Sequence, residues 1–288
     1  MLRSRLFAVA LTFGIGVAAL AGSASAITDG NIDGEAHPNV GMLLFYTAEG
    51  RFRCSGTLVS PTVVLTAAHC TDGTVGKTMV TFDTTIALTP PSGLPEAKNP
   101  AVGYVGNEKA PSRITTYYGT AFTSPDYSDF TDTANWNDFG VVVLERDIRG
   151  IEPAELAPLG YLDRFTSDQL NSTLFTLVGY GTEVRKADEG PQKPTPFSYP
   201  IIRRYAEEPG QKLTPQILQV NGNGNDTRGT GGTCFGDSGG PAFQGGYVVT
   251  VTSYGYTSNC RYVDGLQRVD IPTAQQWLAG FDVTPAAP

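Results

Sequence analysis

The sequence predicts an all-β protein, a barrel or a sandwich, on three observations. Short runs rich in β-branched and aromatic residues recur along the chain, as in Val40 to Tyr46, Leu174 to Tyr180 and Tyr247 to Tyr254. Turn residues punctuate them throughout, with 34 glycines and 20 prolines in 288 residues, a density that leaves little room for long helices. Helical spacing of apolar residues is confined to the tail. There Ala274, Trp277, Leu278 and Phe281 share one face, Pro272 suits the first turn and Gly280 the exit.

In chain order, the first element is a secretory signal over residues 1–26. Arg3 and Arg5 supply the positive start, Leu6 to Ala21 is nearly all apolar, and Ala24-Ser25-Ala26 is a small-residue cleavage site. The apolar run is short for a membrane span and has no charged stop after it. Its removal takes two arginines and moves the formal charge from −8 to about −10. With a sequence pI near 4.8, neither nucleic acid nor an anionic membrane surface is a favoured partner. The expected product is a secreted, extracellular monomer with no membrane contact once the signal is gone. Four cysteines, Cys54, Cys70, Cys234 and Cys260, imply two disulfides in that oxidising setting, with three connectivities open. A zinc site is disfavoured, since no Cys-x-x-Cys pair exists and the chain has two histidines.

The mature chain then opens with Ile27-Thr28-Asp29-Gly30 and a turn at His37-Pro38. Val40 to Tyr46 is a strand, Phe52 to Ala68 a strand pair around Ser60-Pro61, and Met79 to Phe82 another short strand. Residues 84 to 136 read as loop, broken by Pro90, Pro91, Pro95, Pro100 and Pro111, with strand-like pieces such as Ile114 to Tyr118. Asp126, Asp129 and Asp132 make part of it acidic, a solvated loop rather than a calcium site. Trp136 to Leu144 runs from a turn into a buried strand, and residues 146 to 165, with Pro153 and Pro158, cross between two halves. The second half holds Leu174 to Tyr180, Phe197 to Tyr205, Ile217 to Val220 and Tyr247 to Tyr254. Gly222 to Gly232 is an Asn/Gly-rich loop, and Asn171-Ser172-Thr173 and Asn225-Asp226-Thr227 match the glycosylation pattern.

The chemistry centres on Gly236-Asp237-Ser238-Gly239-Gly240-Pro241. A serine on a glycine-rich turn is a nucleophile only if the chain also supplies a base, an orienting acid and donors for an oxyanion. His37 precedes a proline and reads as structural. His69 ends an apolar strand beside Cys70 and is the candidate base. An esterase of the nucleophile-elbow type is excluded, because its order is serine, acid, histidine and no histidine follows Ser238.

Together, Leu65-Thr66-Ala67-Ala68-His69-Cys70, Asn137-Asp138-Phe139-Gly140-Val141 and the Ser238 block, in that order, resemble the chymotrypsin/trypsin family of serine proteases. The resemblance spans residues 27 to 281 and is weakest over 84 to 136 and 183 to 230. It implies an all-β fold of two packed six-stranded antiparallel β-barrels with a C-terminal α-helix. The protease domain would be 27–288, with a first barrel at about 27–150, a second at about 165–270 and the helix at about 272–281. It further implies a serine endopeptidase acting on protein or peptide substrates through an acyl-enzyme, with a proteinaceous inhibitor as a possible class of partner and neither cofactor nor metal.

The family pattern assigns His69 as general base and then acid, Asp138 as its orienting partner and Ser238 as nucleophile, with the N–H groups of Gly236 and Ser238 as the oxyanion hole. It pairs Cys54 with Cys70 and Cys234 with Cys260. It also pairs a freed Ile27 ammonium with Asp237. Cleavage after Ala26 would make signal removal itself create the active N-terminus, whereas cleavage at the rival Ala19-Leu20-Ala21 site would leave Gly22 to Ala26 as a short propeptide. Six positions before Ser238 lies Gly232, expected at the floor of the primary pocket beside Thr233, with Gly255 and Gly265 as walls and Phe235 at the mouth. Ser253-Tyr254-Gly255 would pair with substrate backbone. With glycine at 232 the expected preference is large apolar or aromatic rather than trypsin-like, although Asp264 beside Gly265 is a carboxylate able to restore a basic preference. The alternative is a catalytically silent protease-fold binding protein, against which stand all three triad residues.

Overall fold

The structure is a computed structural model that describes residues 27–28, 30–109, 113–185, 195–197 and 199–287. The expected signal and its cleavage site lie outside the described residues. Six strands close a first antiparallel barrel: β1 (Val40–Thr47), β2 (Gly50–Ser60), β3 (Val63–Thr66), β4 (Val75–Thr81), β5 (Tyr117–Thr123) and β6 (Gly140–Leu144), in the order β1-β2-β3-β6-β5-β4. Six more form the second: β7 (Leu174–Gly179), β8 (Arg204–Leu213), β9 (Ile217–Asn221), β10 (Pro241–Gln244), β11 (Tyr247–Gly255) and β12 (Val263–Arg268). Their order is β8-β9-β12-β11-β10-β7, and β7 pairs back onto β8 to close the ring. The all-β, double-barrel expectation is thus met.

The continuous apolar run of β1 has a reason. Side chains alternate across a strand, and both faces of β1 are buried. Leu43 and Phe45 point into the first barrel with Leu58, Val64, Val80 and Val142. Val40, Met42, Leu44 and Tyr46 share a second cluster with Val178, Tyr180 and Ile201, which belong to the other half of the chain. One strand therefore serves a barrel interior and the seam between barrels. The second barrel is filled by Phe175, Leu177, Leu218, Val220, Val249 and Leu266.

The C-terminal helix α2 (Pro272–Ala279) forms where expected, with proline in the first turn, and buries Ala274 and Leu278. Leu278 packs with Leu65 and Val141 of the first barrel and Val248 and Val251 of the second, so the helix seals the seam. A second helix, α1 (Ser167–Ser172), was not expected. Its only buried residue is Leu170, so it has no apolar periodicity to read. Its signal is the Thr166…Gln169 capping box, in which Thr166 Oγ1 accepts from Gln169 N and Gln169 Oε1 accepts from Thr166 N. Within 84 to 136, expected as loop with strand-like pieces, Tyr117–Thr123 is a full barrel strand. Gly119 lets it close on β6, since a Cβ there would lie 2.6 Å from the Val143 carbonyl oxygen. Among the described residues no helix is long and apolar enough to cross a membrane.

Candidate active site

β3 and β6 run side by side, with Thr66 opposite Gly140. That register brings the residues just after β3 next to those just before β6. His69 sits in a 3-10 turn, Ala68–Cys70, at the end of β3, and the Cys54–Cys70 disulfide pins the turn to β2. Asp138 is fully buried. Its Oδ1 accepts from the His69 backbone N–H at 2.9 Å, and its Oδ2 lies 2.8 Å from His69 Nδ1. A carboxylate accepts only, so this contact places the ring proton on Nδ1 and leaves Nε2 as the free lone pair. Ser253 Oγ donates to the same Oδ2 at 2.6 Å and accepts from Trp136 Nε1 at 2.9 Å. The acid is thus desolvated and held by three donors.

Ser238 reaches this place on a loop bolted to both barrels. Its carbonyl accepts from Ser55 N at 2.9 Å, Ser55 Oγ donates to the Gly236 carbonyl, and Gly239 N donates to Thr252 O. Gly236 has φ near +100°, a conformation that side chains resist, and a Cβ there would stand 2.9 Å from Arg53 Nε. The Cys234–Cys260 disulfide ties the loop to the segment after β11. Ser238 lies where two cavities meet. One, of about 530 Å³, is lined by His69, Phe45, Arg53, Phe235, Gly236 and Ser238 among others. The other, of about 360 Å³, is lined by Thr233, Phe235, Ser238, Ser253, Tyr254 and Gly255 with its neighbours.

The remaining expected pocket residues take different places. Thr233, Ser253, Tyr254 and Gly255 line the smaller cavity, and Phe235, 56% exposed, stands between the two. Gly232 lines neither. It is pressed against Gly222, where a Cβ would meet a carbonyl oxygen at 2.3 Å, and its N–H donates to Thr28 O. Gly265 lies under the ring of Tyr254. The group beneath the cavity is Asp264, whose Oδ2 accepts from Thr233 N at 2.8 Å and Thr233 Oγ1 at 2.7 Å. A Cβ on Gly255 would stand 3.2 Å from Asp264 Oδ1. Burial pushes the Asp264 carboxyl up to about 7, against the pull of the Thr233 donors.

The family model for Trypsin matches residues 33–278 of this chain. The chain belongs to the trypsin family of serine proteases. Among curated relatives, brachyurin from Leptuca pugilator is 28% identical over 223 residues, covering 75% of this chain and 82% of brachyurin. A trypsin from Saccharopolyspora erythraea is 27% identical over 215 residues, covering 73% of this chain and 78% of the relative. Among solved structures, HL collagenase matches with a TM-score of 0.61 at 16% identity, over 89% of this chain and 98% of that one. An inactivated scabies mite protease paralogue matches with a TM-score of 0.60 at 17% identity, over 90% and 100%. At those identities the structural likeness concerns the fold alone.

Two further features of this trypsin-family site matter. Ile27 is wholly buried, and the next residue, Thr28, pairs with Gly232. Asp237, at the other end of the Gly232–Asp237 stretch, is buried too, its carboxylate accepting from Gly181 N at 2.7 Å and Cys234 N at 2.9 Å. Burial pushes its carboxyl up to about 6, while those two bonds and the charge of Arg53 pull the other way. Sequence reasoning missed Phe130, Trp136 and Arg53. The Phe130 ring, 42% exposed, lies 5.5 Å from that of His69 and 5.2 Å from that of Trp136. Trp136, beside Asn137-Asp138, and Arg53, beside Cys54, had adjacency as a signal, whereas Phe130 had none. Sulfur and imidazole atoms of Cys54, His69 and Cys70 cluster as metal ligands would, but the two sulfurs are bonded to each other.

Proposed function

We propose that this chain is a secreted serine endopeptidase that cleaves peptide bonds through an acyl-enzyme on Ser238. The observation that carries the reading is the His69–Asp138 pair, with Nδ1 spent on the carboxylate and the ring facing the cavity that Ser238 shares. His69 Nε2 takes the proton of Ser238 Oγ as the oxygen attacks the scissile carbonyl. Asp138 holds the tautomer and stabilises the imidazolium. The N–H groups of Gly236 and Ser238 stabilise the oxyanion, each worth on the order of 3 kcal/mol of barrier. His69 then returns the proton to the leaving amine, and water, activated by the same ring, releases the acyl group.

Ile27 and Asp237 complete the reading. Freed by signal removal, the Ile27 ammonium neutralises a carboxylate whose charge burial disfavours. Residues Thr233, Ser253, Tyr254 and Gly255 form an uncharged wall, which suits a large apolar or aromatic side chain, with the Asp264 carboxyl below as a source of basic preference. Substrates are proteins or peptides, and the working form is an extracellular monomer.

A fluorophosphonate probe applied to a chain beginning at Ile27 should label Ser238, and Ser238→Ala should abolish both labelling and turnover with the fold intact. A folded chain that takes no label would favour the silent binding protein instead.

A further inference from the structure

Beneath the smaller cavity, Asp264 does not stand alone. Glu208, on β8, is fully buried, and neither of its carboxylate oxygens finds a donor. Its side chain meets the carboxyl of Asp264. The Thr233 N–H, which also faces it, is spent on Asp264 Oδ2 at 2.8 Å. Ionised carboxylates only accept, so two of them in contact need a proton between them. The fold leaves room for this contact at Gly222. Gly210 on β8 is opposite Val220 on β9, so two residues further on Glu208 is level with Gly222. A Cβ at Gly222 would stand 2.8 Å from Asp264 Oδ2.

On β8 itself the charged neighbours include Arg204, buried four residues along the strand, and Glu207, whose carboxylate accepts from Thr176 Oγ1. β7 and β9, which flank β8, carry no charged residue, and Asp168 of α1, packed on the same strand, is exposed. Arg268, at the far end of β12, is bound to Asp270. The charge that acts on both Glu208 and Asp264 is Asp237 of the nucleophile loop, which has Arg53 as its own neighbour.

We propose that Glu208 and Asp264 form one carboxyl–carboxylate unit beneath the primary pocket, sharing a single proton, and that Glu208 is thereby a specificity-determining positioning residue. The proposal rests on the protease reading above. Burial raises both carboxyls, Glu208 well above the ordinary carboxylate range and Asp264 to about 7, so the unit titrates as a pair. At low pH it is neutral and the pocket favours apolar side chains. As pH rises it gains negative charge, and the pocket increasingly accepts Lys or Arg.

The test compares kcat/KM for two peptide substrates that differ only in Arg or Phe before the scissile bond. In the native chain the Arg-to-Phe ratio should rise at least about tenfold between about pH 6 and about pH 8.5. Glu208→Gln replaces the shared proton with a permanent amide donor and leaves Asp264 ionised. Its ratio should start about tenfold higher at about pH 6 and stay flat. A Glu208→Gln ratio that follows the native pH curve overturns the proposal. A second measurement does not need turnover or a folded Glu208 variant. Benzamidine binding to a chain carrying Ser238→Ala and His69→Ala, followed by calorimetry in two buffers at about pH 7, should release protons, because a cation in the pocket above the unit favours its ionised form. No binding, or binding without proton release, also overturns it. Absence of turnover on every substrate would instead count against the protease reading, and the benzamidine result would still decide this one.

Discussion

Ser253 and His69 meet at a single oxygen: Ser253 Oγ lies 2.6 Å from Asp138 Oδ2, and His69 Nδ1 lies 2.8 Å from the same atom. Two donors on one oxygen fix both the carboxylate and the ring plane. Trp136 Nε1 orients the Ser253 hydroxyl in turn. Ser253→Ala removes a bond to a charged, fully buried acceptor and leaves the indole N–H unpaired. The expected result is a loss of roughly tenfold in kcat with little change in KM, and partial recovery in Ser253→Thr. Steady-state kinetics on a peptide substrate decides, and a loss below about twofold would show that the ring is held without Ser253.

Asp237 gives a prediction about pH. Its carboxyl is raised to about 6 in a chain whose Ile27 amine is not free, above the unfolded value near 3.8. A raised folded value means that the folded state binds the extra proton. Its contribution to stability is complete below about pH 4 and is lost as pH rises through about 6. The size is on the order of 3 kcal/mol. A chain starting at Ile27 with a free ammonium should lose this dependence, and the same chain acetylated at Ile27 should regain it. Urea unfolding of the two forms across about pH 4 to 7 tests this, and identical curves would mean that the ammonium does not reach Asp237.

Much of this was legible because the chemistry is local in sequence. The glycine-rich serine block, the His69–Cys70 strand end and the even cysteine count each carry their own signal. Short β-branched runs between turns give the all-β class, and the double barrel is what the family resemblance of the three blocks implies. What could not be read is set by long-range packing. Gly232 was expected at a pocket floor, yet the structure places it against Gly222 and Thr28. Glu208 lies 56 residues from Asp264 in the chain, and only the β8-β9-β12 order brings them together. Phe130 is one aromatic residue in an acidic loop, with no periodicity to mark it.

Phe130 makes its own prediction. Its exposed ring lies over His69 and is backed by Tyr127 and Trp136 at 5.7 and 5.2 Å. A peptide entering beside His69 would meet this ring, which makes it the expected contact for the substrate residue before the one in the primary pocket. Phe130→Ala removes an apolar contact made equally in ground and transition states. KM for peptides with an apolar residue at that position should rise about tenfold, with kcat unchanged. Substrates that end at the primary residue should be unaffected, and a fall in kcat on those short substrates would point to a role in holding His69 instead.

The N-terminal segment is held by an ion pair that should set the acid limit of the fold. Asp33 Oδ2 accepts from Arg203 Nε at 2.7 Å, and both side chains are fully buried. Arg203 also donates to the carbonyls of Gly34, Val40 and Phe82, so one guanidinium stitches the start of the chain and the first barrel to the strand pairs of the second. Burial alone would raise the Asp33 carboxyl, but the hydrogen bonds from His37 and Arg203 outweigh it and hold it below 3.8. A lowered folded value reverses the sign of the Asp237 case: the stability is present above about pH 4 and is lost as pH falls through the folded value. Arg203→Met strands a buried carboxylate and should cost about 3 to 5 kcal/mol at neutral pH. The double variant Arg203→Met with Asp33→Asn should recover part of that loss and abolish the acid dependence. Urea midpoints at about pH 6 and about pH 3 for the native chain and both variants measure it. If the single variant loses no more at neutral pH than the double one, Arg203 acts through its carbonyl bonds and the ion pair adds nothing to the fold.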